Sequence, residues 1–318
     1  MRSHYSTLAI IVFAALPASA AEAWYADPKL ALVAGPQSEL DPRQIAAISK
    51  EAGLTGKDGL SDAMRIHLWL EDGFESSSAG GSQLGKTTAR SILRTRRLTG
   101  CHDWALMLST LLRSAGYPAL MVDTAGVQWM NLARAGRPFD DYDGHVFVEA
   151  YIGGRWMLFD SVSGRYIPDY DRRDPFIPME VGNQQSYIVM FKGIDPKSYG
   201  VHGAQELNAT MLRFAKKTDP AKMRAPKYRI LELPGGTPLP PLTDEALTGP
   251  CPLDASRRGA VLQFSKAGLD VHVEKSSGLY LAHRYPYGRV FSVPVLETGS
   301  FSTLAELKRS LRSIEPAP

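Results

Sequence analysis

The chain has 318 residues, 44% of them apolar, 22% charged and 9% aromatic, with 28 glycines and 22 prolines. That balance excludes collagen-like, coiled-coil and largely disordered chains and allows one large domain with additions or two modest ones. A formal charge of +3 makes no case for a nucleic-acid partner, which calls for a clustered basic excess. Two cysteines exclude a disulfide scaffold and a four-thiolate zinc site.

Met1 to Ala20 places Arg2 ahead of the apolar run Leu8 to Leu16 and the small-x-small pattern Ala18-Ser19-Ala20. These are the three regions of a signal peptide. The run is shorter than the roughly 20 residues a membrane helix needs. The expectation is a signal peptide over 1–20 and a chain that is periplasmic or secreted and not membrane-spanning.

From Asp41 to Leu70 apolar positions recur at helical spacing, and Gly53, Gly56 and Gly59 divide the segment into two helices. Glu75 to Gly85 reads as a Ser- and Gly-rich loop, and Thr87 to Arg97 as a short basic helix. No acidic residue falls between Glu75 and Asp103, while Lys86, Arg90, Arg94, Arg96 and Arg97 are all positive. A solvated helix face is the simpler role for such a run, and a local field for an anionic substrate or thiolate the second.

Cys101 to Ala115 is the clearest helix, with Ala105, Leu108, Leu111, Leu112 and Ala115 on one face. Thr99 is its expected N-cap, and Gly116 with Pro118 its stop. A strand at Ala119 to Asp123 and a loop through Gly144 lead to two strands, His145 to Ile152 and Arg155 to Ser161. Gly153-Gly154 between them is a hairpin signal. Eight prolines between Pro220 and Pro252 read as a linker or an extended wrap. The tail predicts strands at Ala260 to Phe264, Val271 to Glu274, Tyr280 to His283 and Val290 to Val295, then an amphipathic helix near Leu304 to Ile314.

A cysteine in the first turn of a helix meets unpaired backbone amides and the positive end of the macrodipole, both of which favour thiolate. A nucleophile of this kind also needs a base and a group that orients the base. If Gly153 and Gly154 are the turn residues, paired positions across the hairpin sum to about 307, so His145 faces Val162 and Asp160 faces Phe147. His145 and Asp160 are then diagonal neighbours on one face, within reach of an imidazole–carboxylate hydrogen bond. His102 and Asp103 adjoin Cys101, but consecutive helical residues point in different directions, so both read as helix-start residues. His67, His202, His272 and His283 lack ligand-like spacing; no metal and no cofactor are expected. Trp104, Trp129 and Trp156 read as core.

Three segments together resemble the signature blocks of the transglutaminase-like superfamily: Thr99-Gly100-Cys101-His102-Asp103-Trp104-Ala105, Gly144-His145-Val146-Phe147-Val148-Glu149 and Gly154-Arg155-Trp156-Met157-Leu158-Phe159-Asp160. The resemblance implies an α+β, papain-like cysteine-enzyme fold with Cys101 as nucleophile, His145 as base and Asp160 as orienting carboxylate. It implies acyl transfer or hydrolysis on amide bonds through a thioester, with a protein, peptide or cell-wall peptide as substrate. Ser161 stands where a proline is common in the family. The Cys101 amide is one natural oxyanion donor, and its partner is not evident.

The expected organisation is a catalytic domain over 21–219 with N-terminal helices, a linker over 220–256 and a small α+β domain or extension over 257–318. Cys251, flanked by Gly249, Pro250 and Pro252, reads as an accessible loop thiol, with a bond to Cys101 the lesser expectation. The rival functions are a catalytically weak peptide- or cell-wall-binding scaffold, and a chain whose tail beyond Pro252 binds a partner. Oligomeric state is left open by the sequence.

Overall fold

The computed structural model describes residues 23–77, 83–139, 141–233, 242–264, 267, 269–312 and 314. The expected signal peptide lies outside the described residues. Two helices, α1 (Pro42–Ala52) and α2 (Gly59–Gly73), come first, α1 ending in a left-handed Gly53. Short α3 (Ala89–Thr95) and the long α4 (Cys101–Ser114) follow. The chain then alternates β1 (Ala119–Gly126), α5 (Val127–Arg134), β2 (Gly144–Ile152), β3 (Arg155–Asp160), β4 (Arg165–Ile167), β5 (Phe176–Ile177), β6 (Tyr187–Gly193), α6 (Ala204–Lys217) and β7 (Leu231–Glu232).

These strands form a seven-stranded antiparallel sheet in the order β5-β6-β1-β2-β3-β4-β7. Alternation along β2 explains its two faces. Val146, Val148, Ala150 and Ile152 join the core that α2 and α4 cover, which includes Ile66, Leu70, Leu108 and Leu112. Phe147 turns to the other side and packs with Val122, Leu158, Ile167 and Tyr187. Helix α4 is buried along nearly its whole length against β1, β2 and α2. That placement fixes where its first residue sits relative to the sheet.

The turn chemistry sets the register. Gly153 and Gly154 both have positive φ, 59° and 81°, as a tight hairpin turn of this kind requires. The ladder pairs Ile152 with Arg155 and Val148 with Phe159, the pairing that the sequence predicts.

Four expectations need correction. Thr99 does not cap α4: Gly100 is the N-cap and supplies no side chain, while the Thr99 N–H and hydroxyl both donate to the Asp103 carboxylate, at 2.8 and 2.6 Å. The stretch before Gly144 is not all loop, since it contains α5. The Gln184 side-chain oxygen, 55 residues away, accepts from the Gln128 and Trp129 amides and so caps it. Cys251 is buried rather than accessible: Pro250–Cys251 pairs antiparallel with Asp254–Arg258, and both cysteines are free thiols. Val290 to Val295 is no strand, because the chain turns there with Phe291 at φ +62° and Pro294 lacks an N–H for a ladder.

Within the proline-rich stretch lie a single 3-10 turn (Pro220–Lys222), β7 on the edge of the large sheet, and the short helix α7 (Asp244–Thr248). The tail forms a second antiparallel sheet of β8 (Ala260–Phe264), β9 (Leu269–Ser276), β10 (Leu279–Pro286) and β11 (Glu297–Phe301), covered by α8 (Leu304–Arg312). Its core of Leu262, Val271, Val273, Ala282, Leu307 and Leu311 is separate from the cores of the large sheet. Among the described residues no helix is long and apolar enough to cross a membrane.

Candidate active site

Cys101 is the first residue of α4 and half-buried. Gly100 before it has φ +154°, a backbone setting that a side-chain-bearing residue rarely adopts. It lets the chain turn directly into the helix from the short strand Arg97–Leu98. The first-turn amides lack intrahelical partners, and the helix dipole adds positive potential at the sulfur.

His145 stands near the start of β2 and Asp160 ends β3, on the face shared with Phe147 and Leu158. His145 Nε2 lies 2.8 Å from Asp160 Oδ1. The imidazole is wedged edge-on against Phe147 and tilted against Tyr187, with ring centroids 4.8 and 5.8 Å away. Asp160 is fully buried and saturated with donors: Val162 N–H donates to Oδ1 at 3.0 Å and Ser163 Oγ to Oδ2 at 2.5 Å. Burial pushes the Asp160 carboxyl up, but His145 and these donors outweigh it and hold the group down at about 2. Burial pushes the His145 imidazole down, and the Asp160 charge and hydrogen bond reverse this, so its value is raised.

A second imidazole also reaches the sulfur. His102 Nδ1 lies 4.0 Å from Cys101 Sγ, and His102 Nε2 is 2.9 Å from Asp123 Oδ2 on β1. Tyr199 donates to the same Asp123 oxygen at 3.3 Å. Here too burial opposes the charged imidazole and Asp123 prevails, raising its value. Burial pushes the Cys101 thiol up, yet hydrogen bonds and charges from His102 and then His145 bring it down to about 6. The three residues singled out from sequence are therefore brought together, while His102 is more than a helix-start residue. Asp103 keeps that structural part, tying down Thr99.

A cleft of about 240 Å³ opens beside the sulfur, with Thr99, Gly100, His102, Asp123, Tyr142 and Met211 among its walls. Gly144 closes one side where β2 begins. A Cβ there would stand 2.4 Å from the Thr124 carbonyl oxygen and 3.2 Å from Met211 Cε. Gly144→Ala is therefore expected to displace the start of β2, costing about 1–3 kcal/mol of stability as other overpacking changes do. It should also slow Cys101 alkylation at neutral pH. Urea unfolding together with a thiol-alkylation assay checks both, and wild-type values in both would overturn the expectation.

Residues 46–161 match the model of the transglutaminase-like superfamily, a segment of mixed helices and antiparallel strands that ends one residue beyond Asp160. Among solved structures, the chain is similar to a candidate cysteine protease from Cytophaga hutchinsonii, at 23% identity and a TM-score of 0.34. That likeness covers 54% of this chain and 53% of the other, so this chain matches about half the length of that protein. No curated protein matches the chain. Among the described residues no group of three His, Cys, Asp or Glu side chains is arranged to hold a metal ion.

Proposed function

We propose that the chain is an exported cysteine enzyme that cleaves or transfers acyl groups from amide bonds of a protein or peptide, with the transglutaminase-like core in 21–219 as its catalytic domain. Support for export comes from the signal-like residues 1–20. The single observation that carries the chemistry is the buried His145–Asp160 hydrogen bond of 2.8 Å, with the His145 ring near enough to the Cys101 thiol at the α4 N-terminus to favour its thiolate.

On this reading the Cys101 thiolate attacks the amide carbonyl carbon. An S–C bond forms, and the C=O π pair moves to the oxygen, facing the amides of the first turn of α4. Collapse expels the amine, which takes its proton from the His145 imidazolium and leaves a thioester. Water or a second amine then attacks the thioester and gives its proton to His145, and the S–C bond breaks to restore the thiolate. Asp160 holds the ring in one orientation and favours its cationic form throughout.

The test is mass spectrometry of the Cys101 peptide after the full-length protein is incubated with mixed peptides and cell-wall peptide fragments. An acyl mass on Cys101, removable by hydroxylamine and missing from Cys101→Ala, is the expected result. A folded protein that retains these peptides without acylating Cys101 would overturn the enzyme reading and favour the binding scaffold.

A further inference from the structure

Two carboxylate-anchored imidazoles converge on one sulfur, and only one belongs to the reading above. His102 is anchored by Asp123 at 2.9 Å, much as His145 is by Asp160 at 2.8 Å. The two differ in access. His102 lines the cleft beside Cys101, while His145 is 6% exposed and packed among Phe147 and Tyr187. Asp123 itself is buried, with Tyr199 donating to it. It sits beside a β-bulge: it faces Phe191 while Thr124 faces Val189, leaving Met190 unpaired. Such bulges re-aim side chains next to functional sites.

We propose that His102 is a second, fixed cation on the nucleophile: anchored by Asp123 and facing the cleft, it holds the Cys101 thiolate charged whether or not His145 carries a proton. The proposal rests on Cys101 being the nucleophile. Its chemical sense lies in the proton count. Whenever His145 is neutral in the free enzyme, a single-histidine site has no cation beside its sulfur and the thiol re-forms. His102, tied through its other nitrogen to buried Asp123, supplies that cation independently of the proton on His145.

The titratable and charged groups around His102 come from several elements. Cys101 adjoins it on α4, where Asp103 is turned away to Thr99. Asp123 faces it from β1, and Tyr199 lies behind Asp123. His145 lies across the sulfur on β2, and Asp195 is held by the Gln37 and Ser198 amides. Tyr187 on β6 packs against His145, and Asp141 lines the same cleft as His102. The thiolate thus has an imidazolium from each of two His–Asp pairs as its nearest cations, with each carboxylate on the far side of its ring.

The experiment is the pH dependence of iodoacetamide alkylation at Cys101 in the full chain, for wild type, His102→Gln, Asp123→Asn and His145→Ala, with thiolate ultraviolet absorbance as a second readout. Wild type should reach half-maximal rate near the value of about 6 that its surroundings set. Losing a cation at this range shifts a thiol by about 1–3 pH units, so His102→Gln and Asp123→Asn should both move the midpoint upward by that amount. His145→Ala should keep a midpoint below the ordinary thiol value of about 8.5 while losing acyl turnover. Profiles of His102→Gln and Asp123→Asn that superimpose on wild type would overturn the proposal and leave the enzyme reading intact. A wild-type midpoint at the ordinary thiol value, together with no acyl adduct, would overturn both.

Discussion

Asp160→Asn is expected to lower kcat by about 10⁴-fold, the size of the loss when the orienting carboxylate of a comparable triad becomes an amide. The amide is nearly isosteric, so the fold should survive. The hydrogen-bond partners of Asp160 are all donors, His145 Nε2, Val162 N–H and Ser163 Oγ, and the Arg165 guanidinium lies 3.9 Å from Oδ2. An amide has only one acceptor oxygen, so its NH₂ must face a group that was donating. If the NH₂ faces His145, the ring is forced to carry its proton on the wrong nitrogen. If it faces Ser163, the hydroxyl can reverse and accept, but the negative charge that favours imidazolium is still gone. Either way the proton needed by the leaving amine is harder to hold at neutral pH. The acid side differs as well. The depressed carboxyl contributes stability that is present above its unfolded value near about 3.9 and is lost as pH falls through about 2. Asp160→Asn should therefore flatten the loss of stability between those limits. Steady-state kinetics on a substrate found by acyl trapping, with acid unfolding alongside, checks both. An activity loss below tenfold would show that Asp160 does not serve the reaction.

The catalytic hairpin is the part of the fold most legible in the sequence, and the reason is local. Two consecutive glycines with positive φ leave few options for the turn, and the period-2 rule then places His145 and Asp160 on one face. Helix α4 is equally legible because its apolar face repeats over four turns. What sequence does not show depends on partners distant along the chain. Helix α5 has only eight residues and no capping side chain of its own; Gln184 supplies the cap. The His102–Asp123 bond crosses from a helix start to a strand 21 residues later. The rule that adjacent helical residues diverge obscures it, although in the first turn the His102 ring still comes within 4.0 Å of the Cys101 sulfur. A buried-type strand carrying one aspartate, Asp123 in Ala119–Gly126, is the signal that points to it. Cys251 was misleading for the opposite reason, since glycine and prolines around a cysteine suggest exposure, whereas pairing with Asp254–Arg258 covers it.

Lys192→Met is expected to cost about 3–5 kcal/mol of folding free energy, the penalty for leaving one partner of a buried ion pair alone. Glu149 is wholly buried on β2 and Lys192 nearly so on β6. Between them runs β1, where Glu149 pairs with Leu120 and Lys192 with Val122. The ammonium donates to Glu149, to the Tyr25 hydroxyl at 2.8 Å and to the Arg172 carbonyl at 2.8 Å. Tyr25 in turn donates to the other Glu149 oxygen at 3.0 Å. Methionine fills similar space but satisfies none of these acceptors, so a buried carboxylate remains with neutral hydroxyl donors and no cation of its own. Removing the charge as well should recover most of the loss, because apolar replacement of a whole buried pair is often close to neutral. The double variant Lys192→Met with Glu149→Leu should thus be more stable than Lys192→Met alone. The consequence reaches the site because this cluster clamps β1 to its two neighbours. β1 carries Asp123 and β2 carries His145, so slippage here moves the anchor of one imidazole and the ring of the other. Urea unfolding of the two single variants and the double variant decides the matter. A double variant no more stable than Lys192→Met would show that the cluster's contribution lies in packing and not in charge.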